Sequence, residues 1–188
     1  MALRRFGSPT HRSALRRLDD FLENKRVLER RMDGDRLVAT VEPIPEQVEP
    51  LSEAAARSIL ENAALISQFM IQFGTTESER WSIRELNVAY AAWVASIERK
   101  GYTDEIVVEI LGAAFGQRCV EQFGMRWVKI TDEDGTALAI QGIEKDYRAF
   151  PYDAISKRIA DGEHGFFLPI FASIRDASEQ DWRPTGGG

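Results

Sequence analysis

Residues 124–140 decide the fold class, and they read GMRWVKITDEDGTALAI. Before this stretch the apolar residues recur with a helical period, but residues 127–131 and 137–140 show the pattern of short strands. The two runs are separated by Asp132-Glu133-Asp134-Gly135, and an aspartate followed by glycine is typical of a tight turn. The stretch therefore predicts a β-hairpin that follows a long helix.

Three helices are predicted before the hairpin, and each begins after a side chain that can cap it: Ser52, Ser82 and Thr103. The first is expected to continue to about Gly74. The second also carries Glu85, which completes a capping box, because its carboxylate can accept from the amide of the capping serine. Its apolar residues share one stripe and extend the predicted helix to Gly101: Leu86, Ala89, Tyr90, Trp93 and Ile97.

After the hairpin, residues 147–150 predict a third strand, which Pro151 stops. Asp153 is expected to cap a short helix that ends at Gly162, and a last apolar helix begins near Phe166. Helices, then strands, then helices favour an α+β fold. We expect three to four helices packed on a small antiparallel sheet, plus a peripheral basic N-terminal helix.

The N-terminal segment differs in charge from the rest of the chain. Residues 1–32 hold nine basic and four acidic side chains, whereas the remaining residues hold 15 basic and 26 acidic ones. Leucines at helical spacing predict an amphipathic helix from Ser13 that Asp33-Gly34 ends. A helix docked on the body is the main expectation. Nucleic-acid binding, membrane binding and a targeting presequence are the alternatives.

Three prolines, Pro43, Pro45 and Pro50, predict an extended connector, because proline removes an amide donor and restricts the residue before it. The expected organisation is a basic arm and connector over residues 1–50 and a single α+β domain over residues 51–178. Residues 179–188, which end in three glycines, are expected to form a mobile tail.

The composition excludes several classes of protein. The 188 residues carry a net charge of −6, with 44% hydrophobic and 29% charged residues, which is typical of a globular domain rather than a disordered chain. No apolar run is long enough for a transmembrane helix, and we expect a cytoplasmic location. Cys119 is the only cysteine, so no internal disulfide can form, and its apolar neighbours predict a buried, inert thiol.

No short catalytic motif occurs, and the two histidines, His11 and His164, leave little scope for a histidine metal site. We expect no metal and no cofactor. Counted from Asp132, the acidic turn lacks the glycine and the glutamate of a calcium-binding EF-hand loop. If the protein is an enzyme, it is a small hydrolase or transferase whose acid–base pair comes from five candidates: Glu85, Asp132, Asp134, Glu163 and His164.

Two further features indicate packing and binding. Gly112 and Gly116 lie four residues apart inside the third helix, where glycine is unfavourable, and predict the close approach of another backbone. The candidate binding residues are the basic pair of the short helix, the acids of the turn and one tryptophan near the end of the chain: Lys157, Arg158, Asp132, Asp134 and Trp182.

The stretch from Leu111 to Phe171 resembles a bacterial family of domains of unknown function. A Leu-Gly-x-x-Phe-Gly helix, a Gly-x-x-Trp-Val strand, an Asp-x-x-Gly turn and a Pro-to-Lys-Arg helix carry the resemblance: Leu111, Gly112, Phe115, Gly116, Gly124, Trp127, Val128, Asp132, Gly135, Pro151, Lys157 and Arg158. It implies a bacterial α+β domain and no catalytic residue to transfer. Small acidic bacterial domains of this type are also similar to immunity and adaptor proteins that accompany toxins.

The main functional hypothesis is therefore a non-enzymatic protein-binding domain with an acidic face, such as a toxin-neutralising immunity protein. An acidic surface accelerates encounters with a basic partner, for example a basic toxin or enzyme. The same charge repels nucleic acid, and the arginines of the arm are interrupted by acids. We therefore expect a protein partner and no nucleic-acid binding.

Overall fold

The computed structural model describes residues 27–33, 36–41, 45–74, 81–132, 135–143 and 147–180. In chain order, the described strands are β1 (Val27–Asp33), β2 (Arg36–Val41), β3 (Gln47–Pro50), β4 (Arg126–Asp132), β5 (Gly135–Gln141) and β6 (Arg148–Ala149). The described α-helices are α1 (Glu53–Ala64), α2 (Ile66–Phe73), α3 (Ile83–Ala95), α4 (Asp104–Phe123), α5 (Pro151–Asp161) and α6 (Phe167–Gln180). This is the α+β fold that the sequence predicts. Among the helices described, none is long and apolar enough to cross a membrane.

Strands β1 and β2 form an antiparallel hairpin of their own. The predicted N-terminal helix is therefore wrong for residues 27–33, and its earlier part, residues 13–26, lies outside the described residues. The error has a physical reason. An aspartate followed by glycine suits both the end of a helix and the turn of a hairpin, and here Asp33 pairs with Arg36 across the turn.

The second sheet has the strand order β3-β4-β5-β6. The β4–β5 hairpin and the short β6 confirm the strands expected around the Asp-Gly turn. The extended geometry that the prolines predict is present in β3, which pairs antiparallel with β4, so that Pro50 faces Val128. A proline is tolerated there because β3 is an edge strand of this sheet.

The predicted starts of the three helices before the β4–β5 hairpin are confirmed, and each has the expected capping residue. The hydroxyl of Ser52 accepts from the amide of Ala55, 3.2 Å away. In α3, Ser82 and Glu85 form the complete capping box, with bonds of 3.2 and 2.6 Å. Thr103 caps α4. These interactions depend only on residues three apart, which explains why the sequence reveals them.

Three helix boundaries differ from the prediction. The first helix breaks at Leu65, whose amide bonds to the carbonyl of Asn62 and tightens the turn. Helix α3 ends at Ala95 rather than at Gly101. Helix α5 begins at Pro151, which takes the first position that favours proline, so Asp153 lies in the first turn and is not its cap.

Most of the core lies between the helices and one face of the sheet. The predicted close approach at the two glycines of α4 occurs, but with aromatic side chains and not with another backbone. A Cβ on Gly112 would lie 2.6 Å from the ring of Tyr152, and one on Gly116 would lie 2.3 Å from the ring of Trp127. The two rings are 5.9 Å apart. Glycine thus lets α5 and β4 pack tightly against α4.

Candidate functional site

The two residues of the predicted basic pair in α5 have different environments. Lys157 is exposed, whereas Arg158 folds back on the protein. The guanidinium carbon of Arg158 lies 5.6 Å from the ring centre of Phe166, and its Nη1 donates to the carbonyl of Ala154 at 3.2 Å. Its Nε lies 3.8 Å from a carboxylate oxygen of Glu163. The arginine therefore stabilises the end of α5, and the lysine alone projects into solvent.

Of the remaining predicted binding residues, the structure describes Asp132. Asp132 is the last residue of β4 and is half-buried. Asp134 and Trp182 lie outside the described residues. The role of these residues in binding stays a prediction.

The described candidates for acid–base chemistry lie in different parts of the structure. The carboxylate of Glu85 accepts the hydrogen bond of the capping box. Glu163 and His164 are adjacent in the loop between α5 and α6, and both are exposed. Within the described part of the chain, no group of three histidine, cysteine, aspartate or glutamate side chains could hold a metal ion.

Cys119 is buried within α4, as predicted. Burial raises the pKa of its thiol to about 12, because the charged thiolate is disfavoured away from water. The protonated thiol is a poor nucleophile at neutral pH, which confirms the expectation that this cysteine is inert.

Two depressions lie at the start of α4. The first, of about 430 Å³, is lined by residues 98, 99 and 101–103 of the α3–α4 connection (residues 96–103), together with Asp104 and Glu105. A second depression of about 340 Å³ lies between α4 and α5. The linings of the two depressions share Asp104 and Glu105, and we call the surface formed by both depressions the acidic groove. Glu85, Asp132, Glu163 and His164 line neither depression.

Four exposed carboxylates line the acidic groove: Glu98, Asp104, Glu105 and Glu109. Asp104 forms an ion pair with Arg99, and Glu109 accepts a hydrogen bond from Asn62 of α1 at 3.0 Å. Hydrogen bonds from its own backbone amide and from Thr103 hold the pKa of Glu105 below its ordinary value of 4.5. The groove is therefore negatively charged at neutral pH.

The second depression also has apolar walls. Val108 of α4 and Ile159 and Ala160 of α5 line it beside the carboxylates, and Ser156 adds a hydroxyl. Tyr152 is half-buried close by, and burial together with the charge of Glu109 raises the pKa of this tyrosine to about 12. A shallow site of carboxylates and aliphatic side chains suits a long cationic side chain, which has an apolar stem and a charged end.

The acidic groove has no signal in the sequence pattern of a single segment. Asp104 and Glu105 have an ordinary explanation as acids in the first turn of a helix, where they complement the helix dipole. Their opposite wall comes from α5, about 50 residues later in the chain. The spacing of residues within a single segment carries no signal for such an arrangement.

Comparison with known proteins shows that part of the chain is similar to a known family. Residues 91–171 match the model of a family described as a domain of unknown function (DUF3806). The match covers less than half of the chain, from within α3 to within α6, and includes α4, the β4–β5 hairpin and α5. It confirms the resemblance to a domain of unknown function. Neither a curated protein nor a solved structure matches this chain.

Proposed function

We propose that this protein is a non-enzymatic binding domain whose acidic groove accepts a positively charged segment of a partner protein. The observation that carries the proposal is the presence of four exposed carboxylates in the lining of two depressions that share Asp104 and Glu105. Complementary charge accelerates encounter and orients the partner, and the apolar walls add contact area. A basic toxin or enzyme in the bacterial cytoplasm is the class of partner that this surface fits.

The negative charge of the groove also argues against nucleic acid as the ligand. Nucleic-acid binding through phosphates requires a concentrated basic surface, whereas the groove presents carboxylates. Arg99 is the basic residue among those that line the two depressions, and it is paired with Asp104. We therefore propose a protein partner in preference to DNA or RNA.

The test is a pull-down with the full chain from cells that naturally produce it, with retained proteins quantified by mass spectrometry. Binding is compared at ionic strengths of about 0.1 M and 1 M, between which the screening length falls from about 10 Å to about 3 Å. The test variant is Glu105→Gln with Glu109→Gln, which removes two groove charges while the glutamine at position 109 can still accept from Asn62.

The matched control is Glu121→Gln with Glu179→Gln, which removes the same charge elsewhere. Glu121 lies in the last turn of α4, about 24 Å along the helix axis from Glu105. We expect a partner that is retained at low salt, is lost at high salt and binds several-fold less to the groove variant than to the control. Equal retention by the two variants, or no retained partner at low salt, contradicts the proposal.

A further inference from the structure

Ile97 in the α3–α4 connection is exposed against the helical pattern of its own sequence. The pattern places it on the buried stripe of the second predicted helix, but α3 ends two residues earlier and the side chain is 101% exposed. The next most exposed large hydrophobic residues, Ile71 and Ile143, are 69% and 67% exposed. In the described part of the chain, Ile97 is thus the large apolar side chain with the fewest internal contacts.

The connection that carries Ile97 is held in a defined conformation. Arg99 stacks over the ring of Trp93 at 4.5 Å and forms the ion pair with Asp104. The indole nitrogen of Trp93 donates to the carbonyl of Tyr102 at 3.0 Å. The ring of Tyr102 lies 5.5 Å from those of two core phenylalanines, Phe69 and Phe73. These contacts fix both ends of the connection to the core.

The same conformation is costly for two of its residues. Arg99 and Lys100 have φ angles of 44° and 47°, in the left-handed region that disfavours residues with a Cβ. If the chain continued as a helix to Gly101, as its pattern favours, this strain would be absent. The tertiary contacts therefore maintain a connection that both strains two residues and exposes Ile97. Such features are frequent where a segment serves in binding.

Ile97 directly precedes the acidic groove. The next two residues, Glu98 and Arg99, line the same depression as Asp104 and Glu105. Ile97 itself lines neither depression, but it is the neighbour of Glu98 in the chain, so a ligand that contacts Glu98 can extend onto it. An apolar side chain of that ligand can cover Ile97 while its cationic side chains meet Glu98 and Glu105.

We infer that Ile97 is the hydrophobic anchor of the acidic groove, and that the occupant is a linear segment of a partner protein with Lys or Arg on both sides of an aliphatic or aromatic residue. This inference rests on the proposed function and adds the partner's sequence pattern. The carboxylates select for positive charge, and burial of Ile97 contributes affinity that does not depend on salt. Because the connection is already ordered, binding does not have to order it, which favours affinity.

The experiment selects ligands from a displayed library of random linear peptides on the full-length protein. The enriched peptides are synthesised with a fluorescent label, and their affinity is measured by anisotropy. They are tested against Ile97→Ser, Ile97→Ala, the matched control Ile71→Ser and the groove variant Glu105→Gln with Glu109→Gln. Circular dichroism and the thermal midpoint check that each variant is folded, which the full exposure of Ile97 leads us to expect.

We expect the enriched peptides to carry basic residues around one apolar residue. Ile97→Ser should weaken their binding by about tenfold or more, Ile97→Ala by less, and Ile71→Ser not at all. Peptides that are sensitive to the groove variant but not to Ile97→Ser overturn this inference and leave the proposed function intact. Peptides insensitive to both, or no enrichment above an unrelated acidic protein, contradict both. Self-association that Ile97→Ser abolishes, measured by light scattering, would make a second copy the occupant and overturn the inference.

Discussion

The middle and the start of α4 differ in almost every physical respect. Six consecutive residues, from Leu111 to Gly116, are buried, whereas Asp104, Glu105 and Ile106 of the first turn are all exposed. In the middle, glycine brings aromatic rings against the helix backbone. At the start, carboxylates and a strained connection surround open depressions.

This difference shows how one helix can serve both the fold and a surface. The buried middle is fixed by packing that tolerates little change of volume. The start can present charge because the middle already determines where the helix lies. Three substitutions test this comparison, and the expected effect decreases from the first to the third.

The first substitution is Gly116→Ala in the buried middle. The added Cβ would lie 2.3 Å from two atoms of the Trp127 ring and 3.0 Å from Pro151. The ring has little freedom to move, because its nitrogen donates to Gln117 at 3.3 Å and it packs near Tyr152. The free-energy cost of overpacking exceeds the helix propensity that alanine adds. We therefore expect the free energy of unfolding, measured in urea, to fall by about 2 kcal/mol.

Two further variants make this prediction specific. Gln122→Ala on the exposed part of α4 should change stability by only a few tenths of a kcal/mol. Against a Trp127→Phe background, where the ring is smaller, Gly116→Ala should cost less than in the natural chain. A Gly116→Ala protein more stable than the parent would show that the packing there is not restrictive.

The second substitution, Lys100→Gly, acts on the connection before α4. Lys100 has a φ of 47°, which glycine adopts without a Cβ clash. We expect the free energy of unfolding to rise by about 1 kcal/mol, measured by urea denaturation. The control is Glu98→Gly, where φ is −85° and glycine should be destabilising. If Lys100→Gly also destabilises, the backbone at this position is not strained.

The third substitution, Glu105→Gln, removes a charge from the first turn. The pKa of Glu105 is below its ordinary value in the folded protein, so its stabilising contribution is present above pH 4.5 and is lost as the pH falls through the lowered value. The effect should be small because the carboxylate is exposed. Thermal midpoints of the parent and the variant should differ slightly at neutral pH and converge in acid. A difference that grows as the pH falls would contradict this assignment.

Much of the fold was predictable because its signals are local. Ser52, Ser82 and Thr103 act on amides within three residues, and alternation followed by an Asp-Gly turn marks the β4–β5 hairpin. The buried stripe of α3 was also correct through Trp93. Prediction from local sequence failed where one motif is compatible with two structures. At Asp33 the chain forms a β-hairpin, although the motif predicted the end of a helix.

The candidate site was less predictable. Lys157 and Arg158 are adjacent and share a charge, yet Arg158 is held against Phe166, which follows it by eight residues across a turn. Ile97 fits the helical pattern, but that pattern contains no information about where Tyr102 must pack. In the structure Tyr102 packs against the core phenylalanines Phe69 and Phe73, and α3 ends before Ile97.

The sequence by itself determined the capped starts of α1, α3 and α4, the strands of the β4–β5 hairpin, the buried stripe of α3 through Trp93, and the burial of Cys119. These properties follow from hydrophobic period, capping and turn chemistry, which act over a few residues. The tertiary structure alone decided that the start of α4, the connection before it and α5 line the acidic groove. The reason is that α5 reaches α4 through the contact of Tyr152 with Gly112, and a contact between residues 40 apart depends on how the whole chain packs.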